Sequence, residues 1–302
     1  MNSASFPAWY RHASVAGLFA VLTMALTANT AMAARVGVLS NNYAAATAAD
    51  FSSKISGHTF TGVDVSSSVP KLPALTSVFD ILLVFEDGAF VNSTAVGDVA
   101  AAFAATGRPV VLGTFYDQDR SDSNNPALTN RAHGWGALEA IDPNTTDGIG
   151  VATGSTGIPN LARVLNAASI VAHPLTKNVT ALGAPTGFAG GNQAKAGTVV
   201  LANWTEPNAR ALPDPAIAFR VSGVTCVIQI GIAPDYAVGV GTGYGNFTGD
   251  FYVVWKNAFD FAGVTCGIVK PVPSLSSGGL VLTVLLIVAF AFSQRRRFVR
   301  QR

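Results

Sequence analysis

Charge is scarce in this chain: Asp, Glu, Lys and Arg make up 12% of its 302 residues. With 49% apolar residues, that shortage excludes a disordered acidic or basic chain. The formal charge of +2 does not describe the middle of the sequence. Arg11 lies near one end, and Arg295, Arg296, Arg297, Arg300 and Arg302 lie at the other. Setting these six aside leaves 13 basic residues against 17 acidic ones, a charge near −4. That balance argues against nucleic acid as a partner. Histidine is also sparse, and His12, His58, His133 and His173 include no pair with metal-ligand spacing such as His-x-x-x-His. There is no internal repeat beyond the string Gly-Val-Thr-Cys, which ends in Cys226 and again in Cys266. An even cysteine count permits one disulfide in an exported protein, with two buried thiols in neighbouring strands as the alternative. A Cys226–Cys266 bridge would close a loop of about 40 residues and contribute ~3–4 kcal/mol through loop entropy.

The two ends read as targeting segments. Arg11 and His12 precede a mostly apolar run from Ala13 to Leu26, then Ala31-Met32-Ala33. Ala31 and Ala33 fit the shallow pockets of a signal peptidase, so cleavage is expected after Ala33. Signal peptidase and the secretion machinery are therefore expected partners. At the other end, 18 uncharged residues run from Leu275 to Phe292, the lower limit for a membrane-spanning helix. A transmembrane helix is expected at about 277–293, with the arginines of 295–302 held in the cytoplasm by the positive-inside rule.

Ahead of that helix stand Val272, Pro273, Ser274, Leu275 and Ser276, followed by Gly279 and Leu280. This motif, the apolar helix and the terminal arginines together resemble the IPTL-CTERM sorting domain of Gram-negative bacteria. Ser277 and Gly278 depart from the Glu and Trp usual in that family. The resemblance implies a sorting or processing membrane enzyme as partner, cutting near Pro273. It also implies export across the inner membrane of a Gram-negative bacterium, then anchoring in the envelope or passage to the cell surface. The expected organisation is a signal peptide at 1–33, an α/β domain at 34–268 and a sorting tail at 269–302. The central domain, of about 240 residues, is large enough for one substantial core.

Within it, strands alternate with helices. Strands are expected at Arg35 to Leu39, His58 to Val65, Phe79 to Phe85 and Pro109 to Gly113; helices at Ala44 to Ile55 and Ser93 to Ala105. This spacing predicts a flavodoxin-like parallel sheet with helices on both faces. Residues 114–160 read as a long loop, and Leu161 to Ile170 as a short helix. Strands follow at Gly197 to Trp204, Ala216 to Val221 and Cys226 to Ile232. A last helix, Thr248 to Phe261, carries Phe251, Val254, Trp255, Ala258 and Phe261 on one face.

The first strand and turn (Arg35 to Asn42), the Phe79 to Phe85 strand, Gly107 to Gly113, His173-Pro174-Leu175 and Gly197 to Ala202 together resemble the class I glutamine amidotransferase-like superfamily, in its ThuA-like, non-catalytic branches. Catalytic members carry a cysteine in a Gly-x-Cys-x-Gly turn, where a strand elbow exposes the sulfur. The corresponding stretch here is Gly113-Thr114-Phe115-Tyr116-Asp117, which has no nucleophile. The resemblance therefore implies a domain without amidase chemistry.

Other candidates are weaker. His133, with Asp119 nearby, lies beyond a strand end, where open α/β sheets bind ligands, and could serve in acid–base chemistry. His173 reads as a cap for the segment that follows. Asp117, Asp119 and Ser121 begin like a calcium loop, but Asp122 and Leu128 occupy the positions that ask for Gly and Glu. Calcium is thus the only cofactor the sequence raises, and a solvated loop is the competing reading. The glycine run 239–245 reads as a loop, and Asn-x-Ser/Thr strings begin at Asn92, Asn144, Asn178, Asn203 and Asn246. The expectation is a non-catalytic binding or structural protein of the envelope, its surface ligand unspecified. A carbohydrate-directed ThuA-like enzyme and a surface scaffold for glycans are the alternatives.

Overall fold

The computed structural model describes residues 33–87, 92–114, 116, 134–146, 162–184, 192–208, 211–239 and 247–264. The chain divides into two units, Met1–Ala33 and Ala34–Arg302. The first lies outside the described residues except for Ala33, which is exposed.

The second unit is a mixed α/β domain. Its first strand, β1 (Ala34–Ser40), leads through a turn into α1 (Ala44–Lys54). Ala44, Thr47, Ala48 and Phe51 are the buried residues of α1, spaced to form one stripe. Next come β2 (His58–Asp64), α2 (Leu72–Val78), β3 (Ile81–Val84), α3 (Ser93–Ala105) and β4 (Val110–Gly113). After short elements come β9 (Val199–Asn203), the hairpin β10 (Pro215–Ser222) and β11 (Thr225–Ile230), and α4 (Phe251–Val264). The main sheet has the order β2-β1-β3-β4-β11-β10-β9. The first five strands are parallel, and β10 and β9 extend the sheet in antiparallel fashion.

Both faces of the inner strands β3 and β4 are buried, because successive side chains of an apolar run point to opposite sides, whereas the edge strand β2 is only partly covered. Ile81 and Leu83 of β3 join one core with Phe51 of α1 and Phe251, Trp255 and Phe259 of α4. Leu82 and Val84 join a second core with Leu75 of α2 and Val96, Ala100 and Phe103 of α3. Phe51 is the hub of the first, with ring centroids 5.6 Å from Phe60, 5.8 Å from Trp255 and 6.0 Å from Phe259. Across the second, α3 approaches a short 3-10 helix (Gly136–Ala140) so closely that only glycine fits at 97. A Cβ there would lie 1.8 Å from the Trp135 carbonyl oxygen.

Three expectations need correction. The main sheet is mixed, not wholly parallel, since β10 turns back into β11 at Gly223, where φ is +58°, and so runs antiparallel to it. Leu161 to Ile170 does not form a helix: Arg163–Val164 is a strand, β6, and Ala167–Ser169 a 3-10 turn. The Asn166 side chain accepts from Ala168 N at 3.1 Å, a local bond that competes with helix formation. The last helix begins at Phe251, because Thr248–Gly249 forms β12 against β7 (Leu182–Ala184). A three-stranded sheet, β12-β7-β6, and a pair, β5 (Asn144–Thr146) with β8 (Asn192–Ala194), complete the described strands.

The smaller elements are held by polar contacts. Arg163 Nη2 lies 3.3 Å from Asp214 Oδ2, both side chains being essentially unexposed. Asp214 Oδ1 accepts from Asn192 N at 3.0 Å, and Gln229 Nε2 donates to Asn192 Oδ1 at 3.2 Å. This network joins β6, β8 and β11 beneath the antiparallel half of the sheet.

Among the described residues no helix is long and apolar enough to cross a membrane. The expected span at about 277–293 lies outside them, as does the whole motif Val272, Pro273, Ser274, Leu275, Ser276 and Gly279.

Candidate functional site

In the order β2-β1-β3-β4 the chain leaves β1 toward one edge and β3 toward the other, so the strand ends between β1 and β3 form a topological switch point. What the sequence puts there is polar. Ser40, the last residue of β1, is fully buried; its Oγ accepts from Asn42 N at 3.3 Å and donates to Asn41 Oδ1 at 3.4 Å. Asn41 Oδ1 also accepts from Asp87 N at 3.0 Å, and Asn42 Nδ2 donates to Asp87 Oδ2 at 3.1 Å. The turn after β1 is thus stitched to the segment after β3. Tyr43 closes this turn in the left-handed region at φ 54°, an uncommon conformation for a residue with a side chain. Such outliers gather at functional sites when their surroundings hold them in place.

The neighbouring strand ends contribute a third acid. Thr114 N, just past β4, donates to the Ile232 carbonyl at 3.3 Å, bringing the segment after β11 across the end of β4. Gly113 is required here, since a Cβ would lie 2.5 Å from Cδ of Pro234 and 3.2 Å from the Trp255 ring. Asp235 follows that proline in a tight turn, its carbonyl accepting from Val238 N at 2.8 Å and Gly239 N at 2.7 Å. Its side chain is fully buried, and among the described residues neither carboxylate oxygen has a partner beyond the residue's own backbone N–H. Burial first, and then the negative charge of Asp87, push the Asp235 carboxyl well above the usual carboxylate range. Glu86, also fully buried, precedes Asp87.

The site therefore combines a carboxyl group biased toward its protonated form, a second carboxylate beside it and an asparagine pair. Of these groups Asn42 is exposed and Asn41 and Asp87 are half-buried, where they can meet a ligand, while the Asp235 carboxyl has no exposed surface. Those functions suit a hydroxyl-rich ligand. A carboxyl group raised in this way beside a second one is also the raw material of acid–base chemistry.

Few of the residues expected from sequence are here. His133, Asp117, Asp119, Ser121 and the cleavage-site Ala31 lie outside the described residues. Among the described residues no group of three or more His, Cys, Asp and Glu could hold a metal ion. Of the stretch after β4, Thr114 and Tyr116 are buried, and Tyr116 Oη donates to Asp142 Oδ2 at 2.6 Å. Lys195 completes that pair by donating to Asp142. His173 does cap its segment: Nδ1 accepts from Leu175 N at 3.2 Å while its own N–H donates to Thr176 Oγ1 at 3.1 Å. Its ring stacks on Phe219 at 5.1 Å, and burial lowers its basicity. Cys226 is buried on β11 and disulfide-bonded; Cys266 lies outside the described residues. Of the glycosylation-type strings, Asn144 is buried within β5 and Asn178 is exposed.

Asp87 and Asp235 were missed by the sequence reading although a signal existed. In a chain so poor in charge, Glu86-Asp87 follows directly on the Phe79 to Phe85 strand, and Asp235 comes three residues after the Cys226 to Ile232 strand.

No protein-family model and no curated protein matches the chain. Among solved structures it is similar to the carbohydrate deacetylase Agd3, at 14% identity and a TM-score of 0.39. That match covers 68% of this chain and 31% of the deacetylase, so the chain spans about a third of that protein's length.

Proposed function

We propose that this chain is an exported, envelope-anchored binding protein, whose flavodoxin-like body takes a neutral, hydroxyl-rich ligand at the ends of its parallel strands. In this reading the signal peptide is removed after Ala33, and the IPTL-CTERM-like tail anchors the body or hands it to a sorting enzyme. The body is a non-catalytic branch of the class I glutamine amidotransferase-like superfamily. The strand order 2-1-3-4, continued by β11, supports that assignment.

The observation that carries the ligand site is Asp235: completely buried, with no partner among the described residues beyond its own backbone N–H, and feeling the charge of Asp87. Buried polar groups in folded proteins are almost always satisfied, and the exceptions call for a function. Glycan-array binding by the full chain, compared with Asp235→Ala and Asp87→Ala, tests it. Binding to neutral glycans that falls at least about tenfold in both variants is expected, a loss of ~1.4 kcal/mol. Unchanged binding in both would remove the site.

A second reading, a carbohydrate-directed enzyme, is favoured by the same acid pair, with Asp235 as proton donor and Asp87 as base. Product formation from any glycan that binds, abolished in Asp235→Asn with affinity retained, would select it. Intact-mass analysis of envelope fractions checks cleavage at both ends.

A further inference from the structure

We propose that a Cys226–Cys266 disulfide ties the tail to the N-terminal edge of the parallel strands, so that this edge lies against the bilayer and the strand-end site faces away from it. The inference rests on the membrane-anchor reading above.

Cys226 is disulfide-bonded, and Cys266 is the other cysteine of the sequence. Cys226 stands near the start of β11, which runs parallel to β4, so it belongs to the edge opposite Asp235. The last helix reaches the same edge independently. Near its start, Trp255 packs by Gly113 at the C-terminal end of β4. Toward its end, Asp260 Oδ1 lies 2.9 Å from Nε2 of His58, the first residue of β2. The helix ends at Val264, two residues before Cys266. Helix direction and disulfide therefore deliver the chain to one place.

From there the membrane is close. The uncharged run begins at Leu275, and nine residues span at most about 30 Å even when fully extended. The seven residues of β1 put the opposite edge about 23 Å farther along the strands. Several of the apolar side chains left in solvent among the described residues lie on the near edge, although Val164 and Leu212 are exposed elsewhere. Val221, next to last in β10, is 48% exposed, Val224 in the hairpin turn is 61% exposed, and Val264 is 67% exposed. Val199, opening β9 opposite Phe219, is 46% exposed. Scattered valines of this kind do not by themselves mark a membrane face, so the placement of the edge rests on the helix direction and the short linker.

The full chain in phosphatidylcholine–phosphatidylglycerol vesicles carrying a headgroup acceptor dye tests this. A donor dye goes on Val224→Cys or on Ala46→Cys, an exposed residue of α1 near the site edge, labelled without reductant. With the two positions about 23 Å apart along the strands, transfer should be about twofold stronger from 224. The difference should shrink when Cys226 and Cys266 are both replaced by Ser, while vesicle flotation is retained. Digestion without reductant should yield the two cysteine peptides linked. Equal or reversed transfer in floating vesicles, or two free thiols, overturns the proposal. Failure of the unmodified chain to float overturns the anchor reading, and this inference with it.

Discussion

Asp214 and Asp235 are both completely buried, and the regions around them treat them in opposite ways. Beneath the antiparallel half of the sheet, Asp214 is matched to Arg163 and to Asn192 N. At the parallel strand ends, Asp235 receives, among the described residues, no donor beyond its own backbone N–H. A third acid shows that the fold readily supplies donors: Thr180 N, Thr180 Oγ1 and Ala181 N all donate to Asp250 Oδ2, at 2.7–3.0 Å. Burial pushes Asp250 up, yet those donors bring it below its ordinary value. Asp235 is therefore not a residue the fold failed to accommodate. A buried acid left without partners costs stability, and such violations concentrate where a ligand completes the site.

The sharpest way to break the comparison is to make Asp214 resemble Asp235. Arg163→Ala removes the matching cation and leaves a buried carboxylate, which should cost about 3–5 kcal/mol of unfolding free energy by urea denaturation. A loss under about 1 kcal/mol would mean that Asp214 is already tolerated unpaired and that the contrast is empty. Gly113→Ala acts on the other region. Its new Cβ would press on the rigid Pro234 ring beside Asp235, costing about 1–3 kcal/mol by overpacking. Ligand binding should fall with it, since the turn that presents Asp235 must shift. Stability lost with binding intact would separate the glycine's packing role from the site.

The same two regions mark where the sequence was legible. In the parallel half, runs such as Ile81–Val84 and Val110–Gly113 are apolar on both faces, and the helices between them carry buried stripes; local pattern suffices. In the antiparallel half, β6 has two residues and β8 three, too short for any periodicity. What holds them is Arg163 meeting Asp214 and Asn192 meeting Gln229, partnerships no local window contains. The site was legible in part. Asn41 and Asn42 belong to an expected turn, and Asp87 and Asp235 each trail an expected strand. That β11 pairs with β4, across more than a hundred residues, is what brings Asp235 beside Asp87, and no spacing rule discloses it. His133, of the commoner acid–base residue type, stands out more in the sequence than either acid.

The smallest effect is the most specific, because its sign is fixed. Asp235 has a raised folded-state pKa, so at low pH it is protonated in both folded and unfolded chains. As pH rises through about 3.9 the unfolded form ionises while the folded form keeps its proton, and stability falls until the folded pKa is passed. Asp235→Asn keeps the shape and removes the titration. Unfolding free energies of the two proteins should therefore run together near pH 3 and diverge above it, the variant becoming the more stable. In Asp87→Asn the fall should be shallower, since one of the two causes of the shift is gone. If instead the aspartate protein gained stability over the variant as pH rose, its carboxylate would have a partner after all. Asp235 would then join Asp214 as a structural acid, and the case for the strand-end site would go with it.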